Sequence, residues 1–289
     1  MVYQLCKDVM NHQIRRGAFN RLSGETFNLS FENWYQSGYW SERNIPYVLF
    51  DGERAVAGIS VNRMDILWEG KIHPMIQLGT VMTDKAYRKQ GLSRLLMEEI
   101  MAEWKEQCEA VFLFANRSVL DFYPKFGFRK YAQYSYRMLF EGQNGDAVKL
   151  DSDCESDREV MKSCYDNGNP FSRIQEVNNF GLLMFYCLAP MKHMIYYSPS
   201  CDAVVIAEQK GKEFHCYDIF CCKGHDLGRV LATAAAPQTE QVVFHFTPEE
   251  CGDGMAVQLS EGNDTLFVYP DSVRIFADHK LLFPEMSHT

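Results

Sequence analysis

Three observations predict an α/β fold in two successive units. Short apolar runs bounded by glycine and polar residues alternate with helical stretches, and Leu92, Leu95, Leu96, Ile100 and Trp104 recur at helical spacing. The order strand, glycine-containing loop, helix, strand occurs once in each half of the chain. A length of 289 residues is long for one such unit and suits two. Apolar residues make up 46% and charged residues 23%, the balance of a folded globular protein.

Taken in order, Phe19 to Trp40 carries seven aromatics, which serve a core first. Pro46–Phe50, Asp51-Gly52 and Ala55–Val61 read as a hairpin with an Asp-Gly turn. Met75–Thr83 reads as a strand, followed by the basic loop Arg88-Lys89-Gln90-Gly91 and the helix that starts at Leu92. The first N–H groups of such a helix lack intrahelical partners and its dipole favours negative charge. Gly91 lets a ligand approach the backbone closely. This loop is suited to a diphosphate. Glu109–Ala115 then reads as a buried strand, leading into Asn116 and on to Phe122-Tyr123-Pro124-Lys125-Phe126-Gly127-Phe128.

Arg88-Lys89-Gln90-Gly91-Leu92-Ser93 resembles the acyl-CoA signature of the GCN5-related N-acetyltransferase (GNAT) family, with Ser93 where the family usually has Gly or Ala. The segment from Asn116 through Phe122-Tyr123 to Gly127-Phe128 resembles the same family's next motif, in the right order and at a separation of one helix plus one strand. The resemblance covers roughly residues 1–140. It implies a mixed central sheet flanked by helices, acetyl-CoA as donor, and direct attack by a primary amine. It further implies that Val81, Met82 and Thr83 hold the pantetheine arm in a splay between the fourth and fifth strands. Arg88, Lys89, Gln90, Gly91, Leu92, Ser93 and Arg94 would wrap the diphosphate, Asn116 would bond the cofactor arm, and Phe19–Trp40 would cover the acceptor. Tyr123 would be the general acid, since a phenol with a pKa near 10 is protonated at neutral pH. A non-catalytic CoA-binding or partner-recognition module of the same fold is the alternative.

No general base is named. Asp84, Asp65, Glu69 and Glu32 are near the relevant strands without a motif behind any of them. Cys108 has no histidine beside it in sequence, which speaks against a covalent thiol route. The ten cysteines are scattered without a Cys-x-x-Cys pair, and His215, Cys216, Cys221 and Cys222 diverge by strand alternation. Reduced core thiols are expected, and no metal.

Residues 1–150 carry 19 basic against 17 acidic residues, and residues 151–289 carry 10 against 21. The halves therefore differ by 13 in net charge, at +2 and −11, which places the division near residue 145. Expected are an acetyltransferase unit over 1–145 and a smaller, degenerate GNAT-like α/β unit over 146–289. In the second unit, Ala203–Glu208 and Glu213–Phe220 flank a Lys210-Gly211-Lys212 turn, and His225-Asp226 replaces the basic loop ahead of a helix. Asp226 would repel a diphosphate, so one cofactor per chain is expected. The acidity argues against nucleic acid and suits a cationic small-molecule or peptide amine. The apolar run Phe180–Met191 is too short for a membrane span and the first ten residues lack a signal pattern, so a soluble cytoplasmic protein is expected. The terminal Phe283–Thr289 also resembles the ends of some GNAT members, which would make His288 catalytic; an exposed terminal histidine is the expectation. Oligomeric state is not legible.

Overall fold

The computed structural model describes residues 3–250, 255–260, 262, 264–273 and 275–289. In chain order, β1 is Gln4–Cys6, α1 Gln13–Phe27, α2 Glu32–Gln36, β2 Asn44–Asp51, β3 Arg54–Trp68 and β4 Lys71–Thr83. Then come α3 at Leu92–Trp104, β5 at Ala110–Ala115, β6 at Arg129–Tyr131, β7 at Tyr134–Leu139 and β8 at Val148–Lys149. The second half holds α4 at Glu155–Tyr165, β9 at Ile174–Val177, α5 at Phe180–Cys187, β10 at Ile195–Ser198, β11 at Ala203–Lys210 and β12 at Glu213–Phe220. The last elements are α6 at Leu227–Ala234, β13 at Gln241–Phe244, β14 at Met255–Gln258, β15 at Thr265–Tyr269 and α7 at Ile275–Asp278.

These strands build two mixed sheets. The first runs β1-β2-β3-β4-β5-β15-β6, with β9 also pairing β3; the second runs β14-β7-β13-β12-β11-β10-β8. Each sheet contains one parallel pair, β4 with β5 and β12 with β13, and in each the connection passes through a helix, α3 or α6. The duplicated order read from the sequence is thus a duplicated topology.

Membership of the sheets does not follow a single cut in the chain. β7 lies before residue 145 and joins the second sheet, whereas β15 lies far after it and joins the first. β15 pairs antiparallel with β5 over Thr265–Tyr269 and with β6 over Leu266–Val268. The division expected near 145 is therefore not a division between sheets. Its apolar side chains explain the exchange: Leu266, Phe267 and Val268 are buried against cores of the first sheet.

The core of the first sheet forms where β2, β3, β4 and β5 meet α3, through Val61, Leu78, Leu96, Met97, Ile100 and Leu113. Leu95, counted in the helical repeat, is exposed, so the apolar stripe of α3 is narrower than its leucines suggest. The aromatic segment is core: Phe19, Phe31, Trp34 and Trp40 form one buried cluster, and Phe185 of α5 stacks on Phe31 at 5.6 Å between ring centroids. Among the described residues no helix is long and apolar enough to cross a membrane.

Candidate active site

The β4/β5 ladder covers Met75–Leu78 against Ala110–Leu113 and then stops, although β4 continues to Thr83 and β5 to Ala115. Beyond Leu78 the two parallel strands no longer pair. The register of β4 against β3 also shifts here, between Gly58 and Ser60, and Thr80 adopts a left-handed φ of 44°. Val81, Met82 and Thr83 thus lie on the part of β4 that has left its ladder with β5.

Past Thr83 a short turn at Lys85–Tyr87 is capped by Asp84, which accepts from Ala86 N at 2.9 Å. The loop then passes through Lys89 at φ 63° and Gly91 at φ 79°. Both left-handed residues turn the chain so that α3 starts at Leu92 with Gly91 as its N-cap and no side chain on its first N–H groups. Arg88, Lys89, Gln90, Gly91 and Arg94 are exposed around this terminus, Leu92 is buried beneath it, and Ser93 is half-buried. The Thr83 and Ser93 hydroxyls lie 2.8 Å apart and tie the strand to the helix, and Arg88 Nε donates to Thr83 O at 3.3 Å. The residue that departs from the family motif, Ser93, has this tie as its structural role. Gln90 accepts from the Tyr3 hydroxyl at 2.7 Å.

On the facing strand end, Asn116 Oδ1 accepts from Ser118 N at 3.0 Å and caps a single turn at Arg117–Val119. Its Nδ2 donates to no other described residue. Tyr123 opens the turn Tyr123–Phe126 and is only 3% exposed, packed with Phe122, Phe128 and Phe267. Burial pushes its phenol up to about 12, so it carries its proton across the ordinary pH range.

The carboxylates weighed earlier are committed elsewhere. Asp84 is bridged by Arg54 at 2.6 Å, Asp65 by Arg43 at 2.8 Å, and Glu32 by Arg16 at 2.9 Å. Burial raises the Asp84 carboxyl, but the Ala86 N–H and the Arg54 guanidinium outweigh it and hold the group low. Glu69 lies at the distant β3–β4 turn. Burial pushes the Cys108 thiol up to about 11, which leaves little thiolate.

A polar cluster beneath the unpaired stretch of β4 was not anticipated. Asn44 donates to Asn62 Oδ1, Asn62 donates to the Thr289 hydroxyl at 2.8 Å, and Gln77 donates to Ser287 O at 3.0 Å. Asn44, Asn62 and Gln77 are all buried. The segment 285–289 packs against the first sheet so closely that a Cβ on Gly79 would fall 2.4 Å from Thr289 O. His288 is therefore not exposed, contrary to expectation. Its ring stacks on Phe114 at 3.6 Å, its Nε2 is sealed from solvent, and burial lowers its pKa to about 4 despite the nearby Glu285. The one local signal was the polar residues Asn62 and Gln77 inside otherwise apolar strands.

Among the described residues no cluster of His, Cys, Asp and Glu could hold a metal, and the nine described cysteines are free. Residues 9–131 match the family model described as an acetyltransferase (GNAT) domain. A search of curated proteins by sequence finds no match. Among solved structures, a protein of Enterococcus faecalis V583 described as a probable N-acyltransferase is 13% identical, with a TM-score of 0.61 over 93% of this chain and 72% of that one. A GCN5-related N-acetyltransferase from Kribbella flavida is 14% identical, with a TM-score of 0.57 over 92% and 71% of the two chains. Eis1 from Mycobacterium abscessus is 13% identical, with a TM-score of 0.57 over 92% and 73%. The likeness in fold thus spans both sheets. Residues 9–131 belong to the GNAT acetyltransferase domain family, whose chemistry is acyl transfer, and they are set in a tandem GNAT-type fold.

Proposed function

We propose that this protein transfers an acetyl group from acetyl-CoA to a primary amine of a small molecule or peptide, by direct attack. The single observation that carries the reading is the early end of the β4/β5 ladder at Leu78 and Leu113, beside a helix N-terminus free of side-chain caps. A ladder that stops leaves main-chain N–H groups for a ligand, and the helix terminus favours a diphosphate. The amides of Val81, Met82 and Thr83 hold the pantetheine arm and polarise the thioester carbonyl. Arg88, Lys89, Gln90, Gly91, Leu92, Ser93 and Arg94 wrap the diphosphate, and Asn116 bonds the arm through Nδ2.

The neutral amine attacks the carbonyl carbon; the C–N bond forms and the C–S bond breaks. Tyr123 gives its phenolic proton to the departing sulfur and regains one from solvent, while the acylated nitrogen releases its extra proton to water. Support for this role is that the Tyr123 phenol, pushed up to about 12, stays protonated at working pH. The −11 charge of residues 151–289 favours a cationic acceptor.

The second reading, a CoA-binding module without turnover, is favoured by the packing of Tyr123 as a core aromatic. Tyr123→Phe separates the two. The enzyme reading predicts that turnover falls at least about a hundredfold while acetyl-CoA binding stays within twofold. Wild-type protein that binds acetyl-CoA but acetylates nothing in a broad amine screen would leave only the module.

A further inference from the structure

A cavity of about 1110 Å³ opens where the second sheet meets the β3–β4 turn and β9, well away from the acyl site. The stretch of β4 from Lys71 to Gly79 alone spans roughly 26 Å at ~3.3 Å per residue. The cavity lies at the second half's counterpart of the end of the β4/β5 ladder. The β12/β13 ladder covers Glu213–Cys216 against Gln241–Phe244, after which β12 continues to Phe220 without that partner. Asp218 and Phe220 of this continuation line the cavity, as do Lys223 to Gly228 at the start of α6. The cavity thus sits past the end of the parallel pair and at the start of the following helix, the place that the basic loop holds in the first half.

The charge is reversed. Where the first half has an exposed basic loop, this cavity is lined by Glu69, Asp166, Glu176, Asp218, Asp226, Glu249 and Glu250 against Arg173 and Lys223. Asp166 is paired with Lys162, and Arg173 lies over the Trp68 ring at 5.2 Å. Two half-buried carboxylates, Asp218 and Glu176, stand out because each has an oxygen without a donor among the described residues. Asp218 receives Asn169 Nδ2 at 2.6 Å and Ile219 N at 2.9 Å, both on Oδ1, which leaves Oδ2 without a donor among the described residues. Glu176 Oε1 is sealed from solvent and also has no donor among them. Burial pushes Asp218 up to about 7; burial also pushes Glu176 well above the usual carboxylate range, with Asn179 and Arg43 pulling it back in part and Asp65 and Asp218 raising it further. Burial makes the charged form of each costly, Arg43 offsets only part of that cost at Glu176, and a bound cation relieves the rest.

We propose that this cavity binds an organic di- or polyamine, with Asp218 and Glu176 receiving its ammonium groups. A metal ion is the poorer occupant, since the described residues offer no cluster of three ligands and the volume far exceeds an ion's need. Phe171, Phe220, Met138 and Leu227 give the walls apolar area that suits the methylene spacer of an alkyl amine. The proposal does not depend on acyl transfer at the first site.

The test is calorimetric titration of the full chain with spermidine at pH 8, with no acyl donor present. Saturable binding at one site per chain is expected, unchanged in Gly91→Glu and absent for 1,8-octanediol, which has length without charge. Asp218→Asn and Glu176→Gln should each weaken binding about tenfold. Lys223→Glu, an exposed loop position that leaves the fold untouched, should tighten it at least threefold. The proposal is overturned by no spermidine binding, by equal binding of the diol, by loss of binding in Gly91→Glu, or by Lys223→Glu leaving the affinity unchanged.

Discussion

Asp218 links the enclosed cavity to the stability of the whole chain. Burial lifts its carboxyl from 3.8 to about 7, so between those values the folded state holds a proton that the unfolded chain has released. Its contribution to stability is full below about pH 4 and is lost as pH rises through about 7. His288 works in the opposite sense: burial lowers it from 6.5 to about 4, so its contribution is present above pH 6.5 and lost as pH falls through about 4. Comparing variant with wild type in the same buffers isolates the aspartate. Asp218→Asn should melt closer to its pH 5 value at pH 8 than wild type does. An identical pH dependence in the two proteins would show that this carboxyl titrates normally. Neither behaviour was legible in the sequence, because the enclosure of Asp218 is made by Asn169, and that of His288 by Phe114, residues 49 and 174 positions away.

Among the elements, β2 to β5 and α3 were readable because each carries its own signal. The Asp-Gly turn marks the hairpin, apolar runs mark β4 and β5, and helical periodicity marks α3. The early end of the β4/β5 ladder came from the resemblance rather than from local pattern, since Val81 and Met82 look like any strand residues. The packing of segment 285–289 on β4 was missed for a related reason: nothing in that stretch marks it as buried, and its partners Asn62 and Gln77 read as defects in apolar strands. Gly79 is the position where this contact is tightest. Gly79→Ala places a methyl group 2.4 Å from Thr289 O, a backbone atom, so the segment or the strand must shift. A loss of about 1–3 kcal/mol is expected from denaturant unfolding. Wild-type stability in this variant would mean that the segment does not pack there in solution.

For the whole molecule, the exchange of strands between halves governs folding. β15 crosses back to fill the place between β5 and β6, and β7 leaves early for the second sheet. Residues 1–145 alone would expose the β5 edge and the surfaces that Leu266, Phe267 and Val268 cover. That fragment is predicted to show no cooperative thermal transition by circular dichroism, whereas the full chain melts cooperatively. A cooperative fragment would restore the simple cut that charge and length suggested. Charge asymmetry gave no sign of the exchange, because net charge reports surfaces and strand pairing is decided inside.

The central claim, that the loop from Arg88 to Ser93 holds an acyl-CoA, is tested most directly by calorimetric titration of the full chain with acetyl-CoA. Gly91 has φ 79° and an open position for a side chain, so Gly91→Glu adds backbone strain and a carboxylate where the diphosphate would lie without displacing any core atom. The account predicts saturable binding at one site per chain in wild type and at least about a hundredfold weaker binding in the variant. Equal binding by both proteins, or none by wild type, would contradict it.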